Sequence, residues 1–380
     1  MMDEQALDPM QSRYLSLDVL RGLTVALMIV VNTPGDWGNI YAPLKHSDWH
    51  GFTPTDWVFP TFLFVVGNAI SFSMKKMGQM SASQFLPKVF KRTIIIFLIG
   101  LFLNGFPFFH YEEDKIVFNN LLDMRLWGVL QRISVCYCLA SLMVFYFKKP
   151  TVIISSITIL LGYWAILYFF GDQPDPYSLK GNAIGKVDLA YLPAKNIYKH
   201  YPVPFDPLGL LSTLPAIVNV VVGYFTGLFI QKNGNKLSSV WRLAVAGVAI
   251  VFFSMLWDVY FPINKPLWTS SYVLCSLGYD LIMIAILMLF IEILEIKRWT
   301  YFFEVFGRNP LFIYVLAWLV VSAMGVVRVE EKSLKEILYL HGFKDWLSPL
   351  NASLAFAVAY MLVMWIIGLF LHRFKIYAKI

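Results

Sequence analysis

The sequence predicts an all-α integral membrane protein, a single bundle of about ten transmembrane helices with both termini cytoplasmic. Three observations predict it. Hydrophobic residues make up 58% of the 380 positions and charged residues only 14%, with a mean hydropathy of +0.63, far from the balance of a soluble domain of this length. Apolar runs near the ~20 residues that span a bilayer recur along the chain. Basic residues gather in alternate connections between the runs, the pattern that marks cytoplasmic loops. The bilayer core offers no water to unpaired backbone groups, and the alternation of a membrane barrel is absent, so the runs are read as helices.

In order, the runs lie near 17–34, 57–74, 93–109, 126–147, 151–170, 208–230, 241–261, 271–294, 302–324 and 349–372. Lys75, Lys76, Lys88, Lys91 and Arg92 follow the second, and Lys148 and Lys149 the fourth. Lys232, Lys236 and Arg242 bracket the turn from sixth to seventh, Lys297 and Arg298 follow the eighth, and Arg373, Lys375 and Lys379 close the chain. An even count puts all of these on the cytoplasmic side. The opposite connections are more acidic or mixed, as from Tyr111 to Asp114, and include the two longest, near 171–207 and 325–348. Residues 1–16 then form a short cytoplasmic N-terminus and 17–380 one transmembrane domain, undivided by any repeat or long linker. The first run carries Asp18 and Arg21 with no small-residue cleavage pattern behind it, so it reads as a span and not a cleaved signal. The net charge of +7 belongs to the cytoplasmic loops and not to a nucleic-acid surface. Cys136, Cys138 and Cys275 all fall inside apolar runs, which indicates core packing and neither a disulfide framework nor a zinc site.

Between the first two runs, Asn32 to Gly67 holds two histidines, three aspartates, a lysine and four tryptophan or tyrosine residues. Trp37, Tyr41, Trp49 and Trp57 suit an interfacial aromatic belt. The alternative is a loop folded over the bundle that presents His46 or His50 to a substrate. Ionisable groups inside spans are costly and each needs a reason. Asp18 and Arg21 share one helix face, either as a local ion pair or as a basic group aimed at an anionic cofactor, to which Arg308 in FGRNPL adds. Gln131 and Arg132 in GVLQRIS, with Asp280 and Asp258, lie towards the outer ends of their helices. They form either a structural interhelical pair such as Arg132 with Asp280, or a polar cavity lined further by Asn32 and by PINKPLWTSSY with Asn264, Lys265, Trp268 and Tyr272. HExxH, GxSxG and a glycine-rich phosphate loop are all absent. Acyl transfer needs less apparatus: an imidazole to take a proton or accept the acyl group, and donors for the oxyanion, roles open to His46 and Asn32.

SLDVLRGLTVALMIVVN followed by LKHSDWHGFTPTDWVFPTFLFVVG resembles the signature of the heparan-α-glucosaminide N-acetyltransferase family. The likeness continues through GVLQRIS, DPLGLLSTLPAIVNVVVGY, PINKPLWTSSYVL and FGRNPLFIY, in the same order. It implies a membrane acetyltransferase that moves an acetyl group from cytosolic acetyl-CoA to an amino sugar or glycan on the extracytoplasmic side, with 17–380 as the acyltransferase domain. By that resemblance His46 in LKHSDW is the acetyl acceptor or base and Asn32 a second catalytic residue. Arg21, Arg132 and Arg308 are candidate acetyl-CoA contacts, and His50, Asp48, Asn264, Lys265 and Trp268 candidate substrate contacts. Asp56 to Gly67 reads as the start of the supporting helix. Lysosomal members carry a lumenal domain and an extra helix ahead of this region, whereas about sixteen residues precede the first run here, so the expected home is a bacterial cytoplasmic membrane. His50 stands where the lysosomal pattern has asparagine. A homodimer is the implied assembly, and neither metal nor nucleic acid is expected. The rival readings are a transporter of a sugar or glycolipid, which acetyl-CoA binding would exclude, and a non-catalytic membrane scaffold.

Overall fold

A computed structural model describes residues 14–112, 115–329 and 331–378. Asp114, Lys379 and the first thirteen positions of the 1–16 segment lie outside the described residues. The fold is almost wholly helical. In order it runs α1 Leu15–Asn32, α2 Pro54–Met77, α3 Ala82–Gly105, a hairpin of β1 Phe109–Glu112 and β2 Lys115–Phe118, then α4 Val129–Tyr146 and α5 Lys149–Phe170. There follow α6 Ala183–Tyr191, α7 Thr213–Asn233, α8 Leu237–Asp258, α9 Ser270–Met288, α10 Thr300–Arg308, α11 Pro310–Val326, α12 Leu334–Tyr339 and α13 Pro349–Arg373.

Among the described residues, eight helices are long and apolar enough to cross a membrane: α1, α2, α4, α5, α7, α8, α9 with its π-helical extension to Ile293, and α13. Two of the ten expected runs differ. The run at 93–109 belongs to α3, whose first half carries Lys88, Lys91 and Arg92; from Thr93 to Gly105 the rise is about 20 Å, short of a ~30 Å hydrocarbon core. The run at 302–324 is broken between α10 and α11 by an 83° bend, and counts as a ninth crossing only if the pair is taken as one. The physical cause is Pro310, which drives the residue before it out of helical geometry, with Asn309 at φ −132° and ψ 50°.

The helices form inner and outer sets. About two thirds of the apolar windows of α1, α2, α7 and α9 is buried (67, 72, 67 and 61%), against 28% for α5, α8 and α13. The outer helices keep side chains such as Ile154, Ile157, Val245, Val248 and Phe252 exposed, as lipid contact allows. The inner ones approach closely through glycine. A Cβ on Gly67 would lie 1.9 Å from the Val220 carbonyl oxygen, and one on Gly223 2.0 Å from that of Phe64, so α2 and α7 touch backbone to backbone. Gly22 and Gly307 do the same for α1 and α10, against Phe303 O and Asp18 O.

Candidate active site

The loops after α1, α5 and α8 meet at one end of the bundle. Gly51 N–H donates to Ile263 O at 2.7 Å, Trp49 Nε1–H to Tyr177 O at 2.9 Å, and Asn264 Nδ2 to Trp49 O at 2.9 Å. Asn264 also orders its own loop: its Oδ1 accepts from Leu267 N–H at 2.7 Å, and its Nδ2 lies 3.3 Å from His50 Nδ1. The loops are therefore one packed surface and not separate membrane turns.

His46 sits at its centre with a half-exposed side chain. Its Nδ1 is 2.7 Å from Asp56 Oδ1. Asp56 is fully buried at the third position of α2, in a capping box with Thr53. Its second oxygen accepts from Ser47 N–H at 3.1 Å, Thr53 N–H at 3.1 Å and Thr53 Oγ1 at 3.0 Å. A carboxylate so surrounded by donors is an acceptor, so the short contact is His46 Nδ1–H donating to Oδ1, which leaves Nε2 as the unprotonated nitrogen. Lys265 brings its Nζ to 3.5 Å from Asp56 Oδ1 and 3.1 Å from His46 Nδ1. Burial lowers the His46 pKa from its ordinary value; the Asp56 hydrogen bond opposes this and the Lys265 charge lowers it again. Burial likewise pushes Lys265 down to about 8, against the pull of Asp56. Burial and the Lys265 charge thus favour a neutral imidazole, and the carboxylate favours the tautomer that presents Nε2.

The catalytic model of the heparan-alpha-glucosaminide N-acetyltransferase family matches residues 13–256, well over half of the chain. The chain belongs to this family. Two curated relatives carry the same description: a Mus musculus protein 28% identical over 359 residues and a Homo sapiens protein 27% identical over 368 residues. The alignments cover 80% and 81% of this chain, and it spans about half (53%) the length of each relative. His46 and Asp56 lie inside the family match, Lys265 beyond it.

Of the residues singled out in the sequence, the structure brings His46 and Lys265 into direct contact, and His50 and Asn264 into a second contact beside them. Asp48 is exposed on the same loop. Asn32 ends α1, exposed, with Nδ2 donating to Met28 O at 2.8 Å; among the described residues no hydrogen bond joins it to His46. Trp268 is fully buried at φ 51°, donates Nε1–H to Asn219 Oδ1 at 3.2 Å and lies under the Arg132 guanidinium at 4.7 Å, so it forms the floor beneath the loops and not their surface. Arg132 does not pair with Asp280. It donates to Ser212 Oγ and Gly209 O, while Asp280 Oδ1 accepts from Trp57 Nε1–H at 2.8 Å and Thr61 Oγ1 at 2.7 Å. Trp57 thus turns inward instead of joining an interfacial belt. Arg21 and Arg308 lie on the packed α1 and α10 at the other end of the bundle, Arg21 bonded to Asp18 and to Gly307 O and Arg308 to Glu304. The three arginines therefore do not converge.

Asp56 is the site residue the sequence reading passed over. The signal was present: Thr53-Pro-Thr-Asp56 is a capping-box pattern, which fixes the carboxylate in the first turn of α2, next to the loop that leads into it.

Proposed function

We propose that this protein is a membrane acetyltransferase that transfers an acetyl group from acetyl-CoA to an amino sugar or glycan on the extracytoplasmic side of a bacterial cytoplasmic membrane. The His46–Asp56 pair carries the reading. An imidazole whose Nδ1–H is tied to a buried carboxylate offers Nε2 to a substrate, and Asp56 stabilises the imidazolium that forms. Nε2 takes the proton from the acceptor amine or hydroxyl as the new C–N or C–O bond forms, and passes it to the departing thiolate. Attack on the acyl carbon by Nε2 itself uses the same lone pair. His50, Asp48, Asn264 and Lys265, from the same packed loops, are the proposed acceptor contacts, with Trp268 as their support and Asn32 as the second catalytic group. Residues 17–380 then act as one transmembrane acyltransferase domain.

Acetyl-CoA supplies the activated acyl group as a thioester. The bundle has unspent polar groups for such a molecule: both amide atoms of Gln131, and Nε and Nη1 of Arg132, are buried without a hydrogen-bond partner among the described residues. Arg21 and Arg308 are the proposed contacts for its phosphates at the opposite end, where each already has an acidic neighbour.

His46→Ala in purified, reconstituted protein tests the reading. Its expected outcome is an intact melting transition with transfer of labelled acetyl from acetyl-CoA lost, and unchanged turnover would remove His46 from the mechanism.

A further inference from the structure

A cavity of about 660 Å³ opens beside the active-site loops, between the β1–β2 hairpin, the turn at 119–125 and the segment 197–200. Its walls are fixed. Asn196 Nδ2 donates to Leu122 O at 2.7 Å and Met124 O at 2.8 Å, and Asn104 Nδ2 to Arg125 O at 2.9 Å and Trp127 O at 3.0 Å. Arg125 grips Asp206 with two hydrogen bonds, 2.9 and 2.5 Å, and lies over the Tyr198 ring at 4.3 Å.

The charges that line it do not cancel. Arg125 is neutralised by Asp206, and Asp123 by Lys195 at 2.8 Å. Lys199 lines the same cavity as the His110 and His200 imidazoles; its charge acts on Asp123, but it forms no ion pair within 4 Å among the described residues, so one positive charge is left over. An anion is the complement of that set. The rim is different in kind. Ile116, Phe118, Leu121 and Leu122 are 56, 78, 58 and 74% exposed, and Phe118 and Leu121 line the opening themselves. Four large apolar side chains in water beside a cationic hollow would be a poor arrangement for a soluble ligand. The hairpin follows directly on α3, whose apolar stretch stops short of a full crossing, and an apolar rim in that place suits the edge of a bilayer.

We propose that this cavity receives the phosphate-bearing headgroup of a lipid, with its chains laid over the Ile116–Leu122 rim. The proposal goes beyond the acetyl-transfer reading and does not depend on it. Tyr198 packs on Tyr201 at 6.1 Å and Tyr201 on Trp49 at 6.3 Å, so a lipid held here sits two ring contacts from the His46 loop.

The test is native mass spectrometry of the full-length protein released from nanodiscs of phosphatidylcholine containing a minority of phosphatidylglycerol. The parent protein retains phosphatidylglycerol selectively. Lys199→Glu lowers that retention about tenfold, Phe118→Ser with Leu122→Ser lowers it as well, and Lys236→Glu at the other end of the bundle leaves it unchanged. Lys199→Gln gives the same readout if the charge reversal prevents folding. Equal retention of both lipids by the parent, or equal retention by parent and a folded Lys199 variant, overturns the proposal. Binding of inorganic phosphate that depends on Lys199, without preference for phosphatidylglycerol, assigns the cavity to a free anion and overturns it too.

Discussion

At the scale of single residues, the chemistry rests on which nitrogen of His46 carries the proton. Asp56→Asn keeps the shape but offers an amide in place of a carboxylate, and its NH₂ can donate to Nδ1 and reverse the tautomer. The expected loss in kcat is about 10²- to 10⁴-fold together with a lowered melting temperature, since the same carboxylate caps α2 and faces Lys265, measured by acetyl transfer and thermal unfolding. A pH profile separates the neighbours. His46 must be neutral to accept a proton; burial and the Lys265 charge lower its pKa while Asp56 raises it, so the active form persists into more acidic solution. Lys265→Met removes one lowering influence, and the acid limb of kcat/KM should move to higher pH. A limb that stays put or moves down would show that Lys265 does not act on His46. His46 stood out as a candidate because LKHSDW is distinctive; its contact with Asp56 did not, because a carboxylate that starts a helix and one that also holds an imidazole look the same until the loop is folded. Trp57 and Asp280 were misplaced for a similar reason: nothing local to either residue announces a partner 223 positions away.

At the scale of the helices, apolar length revealed most of the elements, since a span must satisfy its own backbone. It failed where composition and geometry part company. The Asn309-Pro310 pair announces the bend, but an average over twenty residues passes across it. α6 and α12 are too short for such a window and lie inside stretches read as loops. Helix contacts left a fainter trace, in glycines whose purpose shows only when the partner is in place. Gly67→Ala should destabilise the bundle by about 1–3 kcal/mol, because the α7 backbone has no room to yield. Gly162→Ala in α5, with nothing within 4 Å of the added carbon, should be neutral or stabilising by up to about 1 kcal/mol. Unfolding of the two variants in mixed micelles compares them directly, and equal effects would argue against the close α2–α7 packing.

At the scale of the whole molecule, the decisive contacts are long-range. Lys265 reaches His46 across 219 positions of sequence, and two-ended bundle geometry separates Arg132 from Arg21 and Arg308, a division that a list of intramembrane charges cannot express. The sidedness is open to chemistry. The three native cysteines are buried thiols, so background labelling should be low. In sealed cells an impermeant maleimide should reach Asp48→Cys from outside and Lys236→Cys only after the membrane is opened. The reverse pattern would invert the proposed orientation.

The Asp56 carboxylate also bears on how the protein is made. One side chain both closes the first turn of α2 and holds His46, so the start of that helix and the arrangement of the proposed base are completed by the same hydrogen bonds. A chain inserted with α2 shifted by one residue would lose both together, leaving no species that spans the membrane through a well-capped α2 yet holds His46 in the wrong tautomer. Assembly quality and catalytic competence are, at this position, a single variable.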